Sequence, residues 1–286
     1  MRPELLVHLD KIDHLIDLAL QEDLPGGDIT TEAIIEEGSL ASAVLLAKQT
    51  GILAGLDVAQ RVFEKVDSRV NFIKKMEDGQ EFKPGQVLAE IGGQASALLK
   101  AERTALNFLQ RLSGVATFTG EFVRAVAGTK ASILDTRKTT PGWRFLEKYA
   151  VRMGGGKNHR LNLSEMMLIK DNHIRAAGGI GPALKKARAY IERKGLTGIK
   201  IEVETTSIEE VREALENGAD WIMLDNMDLP QIKASVELVS GRVPLEISGK
   251  VRLDNVRSLA ETGVDYISVG ALTHSFKSAD ISLEFL

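Results

Sequence analysis

Residues 214–222 read Ala-Leu-Glu-Asn-Gly-Ala-Asp-Trp-Ile, and residues 259–267 read Leu-Ala-Glu-Thr-Gly-Val-Asp-Tyr-Ile. The two stretches begin 45 residues apart, and each leads from the end of a helical pattern into an apolar run. This separation corresponds to about two strand–helix units of a repeating chain. A repeating unit of this kind closes into a barrel or forms an open parallel sheet.

Six apolar runs follow residue 129, with helical patterns between them. Runs that are apolar on both faces and alternate with helices are typical of parallel strands. The predicted strands are Ser132–Leu134, Met166–Ile169, Ile199–Val203, Trp221–Leu224, Val243–Ile247 and Tyr266–Val269. The predicted helices are Pro182–Arg193, Ile208–Asn217, Leu229–Val239 and Leu253–Thr262. Six strands are fewer than the eight of a complete (β/α)8 barrel.

The N-terminal part has a different pattern, which is typical of an α+β domain. Apolar residues at helical spacing predict a helix over residues 1–20, and Pro25 with two glycines ends it. Short strands are predicted at Ala41–Ala47, Gly51–Ala54, Val70–Lys75 and Val87–Ile91. A long helical pattern then covers Ala97–Val126, with a bend expected near Gly114.

Composition narrows the class of protein. The 286 residues favour one large domain or two unequal ones, and the formal net charge is -4. There are no cysteines, which excludes disulfides and thiolate chemistry. No apolar run has membrane-spanning length, and the N-terminus lacks the apolar core of a signal peptide. These features predict a cytoplasmic enzyme.

Positive charge is concentrated in three short stretches of this acidic chain. They are Asp135–Arg144, Gly154–Arg160 and Lys170–His173. Local positive charge in a net-negative protein indicates a site for a small polyanion. It argues against a nucleic-acid surface, which needs a broad basic face.

Polar residues crowd the C-terminal ends of the six predicted strands, where parallel α/β folds bind ligands. The strand ends carry Asp135 to Lys138, Lys170 to Asn172, Glu202 with Glu204, Asp225 with Asn226, Ser248 with Gly249, and Gly270. We therefore expect one cavity lined by Arg, Lys, Glu and Asp. The pairs Ser248-Gly249 and Ser268 to Gly270 are typical of a phosphate site made by backbone N–H groups.

Each group also has a structural interpretation. Arg137 and Lys138 could be solvated surface charges, and the glycines before Lys157 could form an ordinary loop. Glu202 and Glu204 lie on one strand face, where carboxylates are costly unless paired. They therefore predict either ligand or metal contact or a buried ion pair with Lys170. Basic side chains can bind phosphate groups, and carboxylates can stabilise the positive charge that develops at the anomeric carbon of a sugar. This combination favours an enzyme that transfers a phosphorylated sugar.

Many short motifs, spread over nearly the whole chain, extend this interpretation. They are Glu22-Asp23, Gly27 to Thr30, Glu102 to Asn107, Ser113 to Thr117, Asp135–Arg144, Lys148 to Val151, Gly154–Arg160, Lys170–His173, Glu202 to Glu204, Met223 to Asn226, Glu246 to Gly249 and Ser268 to Ser275. In these motifs the chain resembles the quinolinate phosphoribosyltransferases, the nicotinate-nucleotide pyrophosphorylases (carboxylating).

The resemblance implies an N-terminal α/β sandwich domain over residues 1–112 and an incomplete, about six-stranded α/β barrel over 113–272. The tail 273–286 is expected to return to the first domain. The resemblance also implies a pentosyltransferase that uses quinolinate, phosphoribosyl pyrophosphate and Mg²⁺ in NAD biosynthesis. The expected assembly is a homodimer with shared active sites, with a hexamer built as a trimer of dimers as the alternative.

The resemblance also implies residue roles. Lys170, Glu204 and Asp225 are the expected catalytic residues, and the last two are also expected to meet Mg²⁺ through substrate or water. Arg103 is expected in the neighbouring subunit's site. The remaining substrate-binding residues implied are Thr136, Arg137, Lys138, His159, Arg160, Ile247, Ser248, Gly249, Ser268, Val269 and Gly270.

Three alternatives stay open at this point. One is a phosphoribosyltransferase that acts on nicotinate or another base without decarboxylation. Another is a binding protein that senses a phosphorylated ligand, and the third is a purely structural homologue. The surplus of cations at Arg103, Arg137, His159 and Arg160 favours a dicarboxylate substrate. The chain departs from the family at Thr205-Thr206, where an acidic residue is frequent, and at Lys250, where Asn or Gly is more usual.

Overall fold

The computed structural model describes residues 1–286, and the chain divides into two compact units. The first unit contains residues 1–120, 140–155 and 272–286, and the second contains 121–139 and 156–271. The elements up to residue 125 are α1 Pro3–Leu6, α2 Leu9–Asp23, α3 Ile29–Ile34, β1 Leu40–Ala47, β2 Gly51–Ile52, α4 Leu56–Val66, β3 Asn71–Lys74, β4 Glu81–Phe82, β5 Val87–Gln94 and α5 Ala95–Ala125.

The later elements alternate between strands and helices. They are β6 Ser132–Leu134, α6 Arg144–Met153, β7 Met167–Ile169, α7 Asp171–Ala177, α8 Ile180–Lys194, β8 Ile201–Thr205, α9 Ile208–Glu216, β9 Trp221–Asp225, α10 Leu229–Val239, β10 Leu245–Ser248, α11 Val256–Ala260, β11 Tyr266–Ser268, α12 Ala271–His274 and β12 Ile281–Phe285. No helix combines the length and the apolar character that crossing a bilayer requires.

The first unit is built on an antiparallel sheet in the order β12-β1-β5-β3, with β2 and β4 as a separate pair. Its core includes Phe63 on α4 and Phe82 on β4, both fully buried. Helix α5 runs without interruption through Gly114, where a Cβ atom would overlap the backbone of Lys277. Glycine at this position therefore lets the C-terminal segment pack directly against the helix.

The second unit is a six-stranded parallel sheet in the order β6-β11-β10-β9-β8-β7. The two outer strands, β6 and β7, do not pair with each other. This sheet and the separate N-terminal sheet confirm the predicted fold class, with six strands in an incomplete barrel. Local sequence explains the helices between strands: Ser207 caps α9 by accepting from the Glu210 N–H. At α10, Asp228 and Gln231 cap each other's backbone N–H groups.

Strand register places the polar residues of the later strands on one face. Glu204 pairs with Met223, and Asp225 pairs with Ser248. Because side chains alternate along a strand, every second residue of each strand points to this face. The face carries Glu202 and Glu204 on β8, Asp225 on β9, and Glu246 and Ser248 on β10.

Candidate active site

A cavity of about 600 Å³ opens among the C-terminal ends of the strands in the second unit. Residues predicted from the sequence line it: Thr136, Arg137, Lys138, His159, Arg160, Lys170, Glu204, Asp225, Ser248, Gly249 and Ser268. Further lining residues are Asp135, Leu168, Met223, Asn226, Glu246 and Lys250. Parallel strands bring these groups together because all their carboxyl ends lie at one edge of the sheet.

Four other predicted residues are placed differently. The side chains of Ile247 and Val269 are buried, at 2% and 1% exposure, so only their backbone can meet a ligand. Gly270 follows β11 and directly precedes α12. Arg103 belongs to the first unit, where it is exposed on α5.

Two guanidinium groups create a strongly positive region in the cavity. Burial and the nearby charge of Arg137 lower the pKa of Arg160, although the carboxylate of Glu202 opposes this. Arg160 is held in place by donating from Nη1 to the Met166 carbonyl at 2.9 Å. Like charges held close together are stabilised when an anion binds between them. A planar guanidinium also forms paired hydrogen bonds with a carboxylate.

Asp135 is a fully buried carboxylate that fixes the loop after the glycines. Its Oδ1 accepts from the His159 backbone N–H at 2.9 Å, and its Oδ2 accepts from Asn158 Nδ2 at 2.5 Å. The loop is thereby tied to the end of β6. The sequence pattern places Asp135 at a strand end but does not assign it this role. The available signal is its position directly before Thr136, at the end of an apolar run.

Lys170 lies opposite the acidic side of the cavity. Its Nζ donates to Glu204 Oε2 at 2.6 Å, and the two side chains are 46% and 14% exposed. The predicted ion pair with Lys170 is therefore made by Glu204, whereas Glu202 bonds elsewhere. His173 accepts the Lys170 backbone N–H on Nδ1 at 3.0 Å, which anchors the start of α7.

A tight turn follows β10 at the rim of the cavity. Gly249 and Lys250 both have positive φ angles, 93° and 52°. A Cβ atom on Gly249 would overlap the side-chain amide of Asn226, so this position requires glycine. On β11, the hydroxyl of Ser268 donates to the Ile247 carbonyl at 3.2 Å. A turn of this kind can offer successive backbone N–H groups to an anion.

Three titratable side chains lie deeper, at the floor of the cavity. His159 Nε2 lies 2.8 Å from Glu202 Oε2 and 3.6 Å from Glu246 Oε2. Both glutamates are fully buried, and burial is the largest cause that raises the pKa of each to about 8. Glu246 was not singled out from the sequence as a site residue.

Two sets of side chains could hold a metal ion. His159, Glu202 and Glu246 offer three ligand atoms within 4.8 Å of one another. However, two ligands of one tetrahedral ion lie roughly 3.4 Å apart, and the 2.8 Å separation is that of a hydrogen bond. Glu204 and Asp225 lie at the cavity wall and present carboxylate oxygens, which suit Mg²⁺ shared with water and a substrate.

Comparison with known proteins covers almost the whole chain. The family model described as "Quinolinate phosphoribosyl transferase, N-terminal domain" matches residues 28–113, and its C-terminal counterpart matches 115–284. The quinolinate phosphoribosyltransferase [decarboxylating] 2, mitochondrial, of Nicotiana glauca is 45% identical over 289 residues, covering 96% of this chain and 82% of that protein.

Two bacterial proteins are similarly close. The probable nicotinate-nucleotide pyrophosphorylase [carboxylating] of Bacillus subtilis is 44% identical over 274 residues, covering 96% of this chain and 93% of that protein. The structure of the nicotinate-nucleotide pyrophosphorylase from Francisella tularensis superposes with a TM-score of 0.93 at 39% identity. That match covers 100% of this chain and 98% of the other.

Proposed function

The chain belongs to the quinolinate phosphoribosyltransferase family, and on this premise we propose how its cavity performs the decarboxylating transfer. The reaction joins quinolinate to phosphoribosyl pyrophosphate and releases nicotinate mononucleotide, CO2 and pyrophosphate, a step of NAD biosynthesis. The observation that carries the proposal is the pair of adjacent guanidinium groups of Arg137 and Arg160, facing the same cavity as Glu204 and Asp225. The dianionic quinolinate fits the two guanidinium groups, and the ribose fits the two carboxylates.

We assign the acceptor to the basic region of the cavity. Arg137, His159 and Arg160 hold the two carboxylates of quinolinate, because guanidinium groups match carboxylate geometry. Thr136 borders this region. Arg103 reaches the site of the neighbouring subunit in a homodimer, as the exposed position of this residue on α5 permits.

We assign phosphoribosyl pyrophosphate to the other side of the cavity. Lys138 and Lys170 neutralise its phosphate oxygens, and Lys170 lies nearest the bond that breaks. The 5′-phosphate binds the rim formed by Ser248, Gly249, Ser268 and Gly270, with backbone groups of Ile247 and Val269 beside it. Lys250 adds a positive charge to the same rim.

Glu204 and Asp225 hold the ribose hydroxyls and a hydrated Mg²⁺ ion. Both carboxylates line the cavity and offer the hard oxygen ligands that Mg²⁺ prefers. The ion would supply positive charge that offsets the charge of the leaving pyrophosphate. The two carboxylates also favour the positive charge that develops on the ribose ring during displacement.

The chemistry then proceeds in two stages. The ring nitrogen of quinolinate forms a bond to the anomeric carbon while the carbon–oxygen bond to pyrophosphate breaks, and pyrophosphate leaves with the electron pair. The resulting pyridinium stabilises the carbanion that forms when the 2-carboxylate departs as CO2. A proton from water completes nicotinate mononucleotide. The residues of this chain contribute by orienting both substrates and stabilising charge.

The homodimer, its hexameric alternative and the cytoplasmic location are also proposals. The motif containing Arg103 supports a shared active site. Location in the cytoplasm rests on the sequence pattern alone, and the names of some plant relatives place those proteins in mitochondria or chloroplasts.

The test incubates the purified protein with quinolinate, phosphoribosyl pyrophosphate and Mg²⁺ and measures nicotinate mononucleotide and CO2 together. A parallel reaction replaces quinolinate with nicotinate. We expect both products, in equal amounts, from quinolinate only. Nucleotide formed from nicotinate but not from quinolinate would indicate a phosphoribosyltransferase that does not decarboxylate its substrate. No product from either substrate would favour a protein that only binds the ligand. Omission of Mg²⁺ tests the metal, and light scattering gives the assembly size.

A further inference from the structure

The buried floor of the cavity contains two glutamates that have no task in the proposed mechanism. Glu202 on β8 and Glu246 on β10 are both 0% exposed. His159 Nε2 lies 2.8 Å from Glu202 Oε2, a hydrogen-bond distance, and 3.6 Å from Glu246 Oε2. The side chain of His159 is itself only 7% exposed. A role for the two glutamates rests on the proposed function, because it concerns how His159 is prepared for quinolinate.

His159 is fixed from two directions. Its backbone N–H is held by Asp135 Oδ1 at 2.9 Å, and its ring Nε2 is held by Glu202 Oε2 at 2.8 Å. A carboxylate acceptor at Nε2 requires a proton on that nitrogen. This hydrogen bond directs Nε2 to the floor of the cavity and, with the bond from the backbone, limits the orientations open to the ring.

Glu246 differs from Glu202 because neither of its carboxyl oxygens accepts a hydrogen bond. The Ser268 hydroxyl lies near enough to oppose the rise in the pKa of Glu246, but its hydrogen is directed to the Ile247 carbonyl at 3.2 Å. A buried carboxylate without any donor is costly, whereas a neutral carboxylic acid needs only an acceptor. Two acceptors are near: the Glu202 carboxylate, and the Ser268 oxygen with its own hydrogen directed to Ile247.

The electrostatic environment of Glu246 agrees with this geometry. Burial and the neighbouring charge of Glu202 raise the pKa of Glu246 to about 8, while His159 and a hydrogen bond from Ser268 oppose the shift. Two carboxyl groups at close range in a water-poor place hold a shared proton, because both cannot be ionised together. At neutral pH the proton therefore stays on the floor of the cavity.

We propose that Glu246 is a neutral positioning residue, whose carboxylic acid donates to Glu202 and thereby holds the Glu202–His159 hydrogen bond in place. The consequence is an immobile His159 in the part of the cavity assigned to the carboxylates of quinolinate. The same arrangement keeps one negative charge, rather than two, beneath a dianionic substrate. Glu246 acts through its neighbours and touches no reacting atom.

Neutrality makes a sharp prediction about replacements of Glu246. In Glu246→Gln the amide N–H2 can donate to Glu202 as the acid does, whereas Glu246→Leu keeps a similar volume without a donor. We expect Glu246→Leu to raise the KM for quinolinate roughly tenfold, with the KM for phosphoribosyl pyrophosphate within about twofold of the parent value. Glu246→Gln should restore the KM for quinolinate to within about threefold of the parent.

Three outcomes would overturn the proposal. Glu246→Gln as impaired as Glu246→Leu would mean that a charge is needed at this position. A normal KM for quinolinate in Glu246→Leu would show that Glu246 does not position His159. Equal increases in the KM values of both substrates would indicate that the variant disturbs the whole cavity. Thermal unfolding of each variant identifies those that fail to fold.

Infrared spectroscopy tests the protonation state directly, without turnover. We expect the parent protein at pH 7 to show a carboxylic-acid C=O band that Glu246→Gln lacks. Absence of this difference, in folded protein, would refute a neutral Glu246. This result is independent of the proposed reaction, so failure of the enzyme assay with the band present would remove the function and keep the buried acid.

Discussion

Asp78 in the first unit and Glu246 in the second are both buried carboxyl groups, and the chain surrounds them in opposite ways. Asp78 accepts from the Tyr149 hydroxyl at 2.6 Å and from the backbone N–H groups of Gly55 and Leu56 at 2.8 and 3.1 Å. Glu246 accepts no hydrogen bond from the backbone. Burial raises the pKa of both carboxyl groups. Three hydrogen bonds, two of them from the backbone, oppose the shift at Asp78, whereas His159 and the Ser268 hydroxyl oppose it at Glu246.

The difference separates structural from functional acids. A buried carboxyl group whose oxygens are satisfied by backbone and hydroxyl donors has little left to offer a ligand, and it ties chain segments together. A buried carboxyl group beside a cavity that receives few hydrogen bonds stays protonated at neutral pH, and it can then donate a hydrogen bond to a neighbouring side chain. We therefore expect changes at charged groups in the first unit to cost stability, and changes in the cavity to cost activity.

The largest effect should come from Lys170→Ala. Its pair with Glu204 is half exposed, and such pairs contribute only about 0–1 kcal/mol to folding. Loss of a cation beside the departing pyrophosphate should lower kcat roughly a thousandfold, about 4 kcal/mol of transition-state stabilisation. Steady-state kinetics at saturating substrates measures this effect.

Lys130→Ala is the matched control for Lys170→Ala. Lys130 forms a 2.7 Å ion pair with Asp265 in the same unit and does not line the cavity. Its replacement should leave kcat and the melting temperature close to the parent values. Near-normal turnover in Lys170→Ala, or a similar loss in Lys130→Ala, would break the division between activity and stability.

Asp78→Asn tests the other side of the comparison. The new amide group directs its own hydrogens at groups that are themselves donors, so at least one buried donor loses its partner. We expect the free energy of unfolding to fall by about 3 kcal/mol, with kcat unchanged in the folded protein. Urea titration measures the loss, and Asp254→Asn, at a side chain 68% exposed, serves as the control. An unchanged midpoint for Asp78→Asn would contradict the structural role.

The smallest effect is a change in the pH dependence of stability. The pKa of Glu246 in the folded protein is about 8, above its ordinary value of 4.5, so folding takes up a proton between these values. The contribution is complete below pH 4.5 and is lost as pH rises toward 8.

Glu246→Gln should reduce this slope between pH 5 and pH 8, because only Glu202, whose pKa burial also raises, then remains to titrate there. Glu261→Gln, at an exposed side chain, should keep the full slope. Urea unfolding of the parent and both variants at four pH values measures it. Parallel curves for the parent and Glu246→Gln would show that Glu246 is ionised in the folded state.

The sequence predicted the parallel sheet and most of the cavity, because strand–helix spacing determines where strand ends lie. Lys170 and Asp225 stand at such ends, so their convergence followed from the topology. Glu246 lies inside the predicted strand Val243–Ile247 rather than at its end, so its position among the strand-end groups does not follow from the topology. Its position two residues before Ser248 places it on the same face, which was the available signal.

Contacts between distant segments were harder to predict. Helix α6, Arg144–Met153, follows the Pro141-Gly142 turn and is not among the helices predicted from the apolar pattern. The buried bond from its Tyr149 to Asp78 joins residues 71 positions apart, and no local pattern indicates such a pair. The same holds for Asp135 and His159, which only the folded loop brings together.

The pairing of β1 with β12 has a consequence for synthesis of the chain. Residues 43–47 pair with residues 281–285, so this side of the N-terminal sheet stays an open edge until residues 281–285 have left the ribosome. Most of the second unit, by contrast, is one continuous segment, 156–271. During translation, the half of the protein that is made first is therefore the half that finishes last.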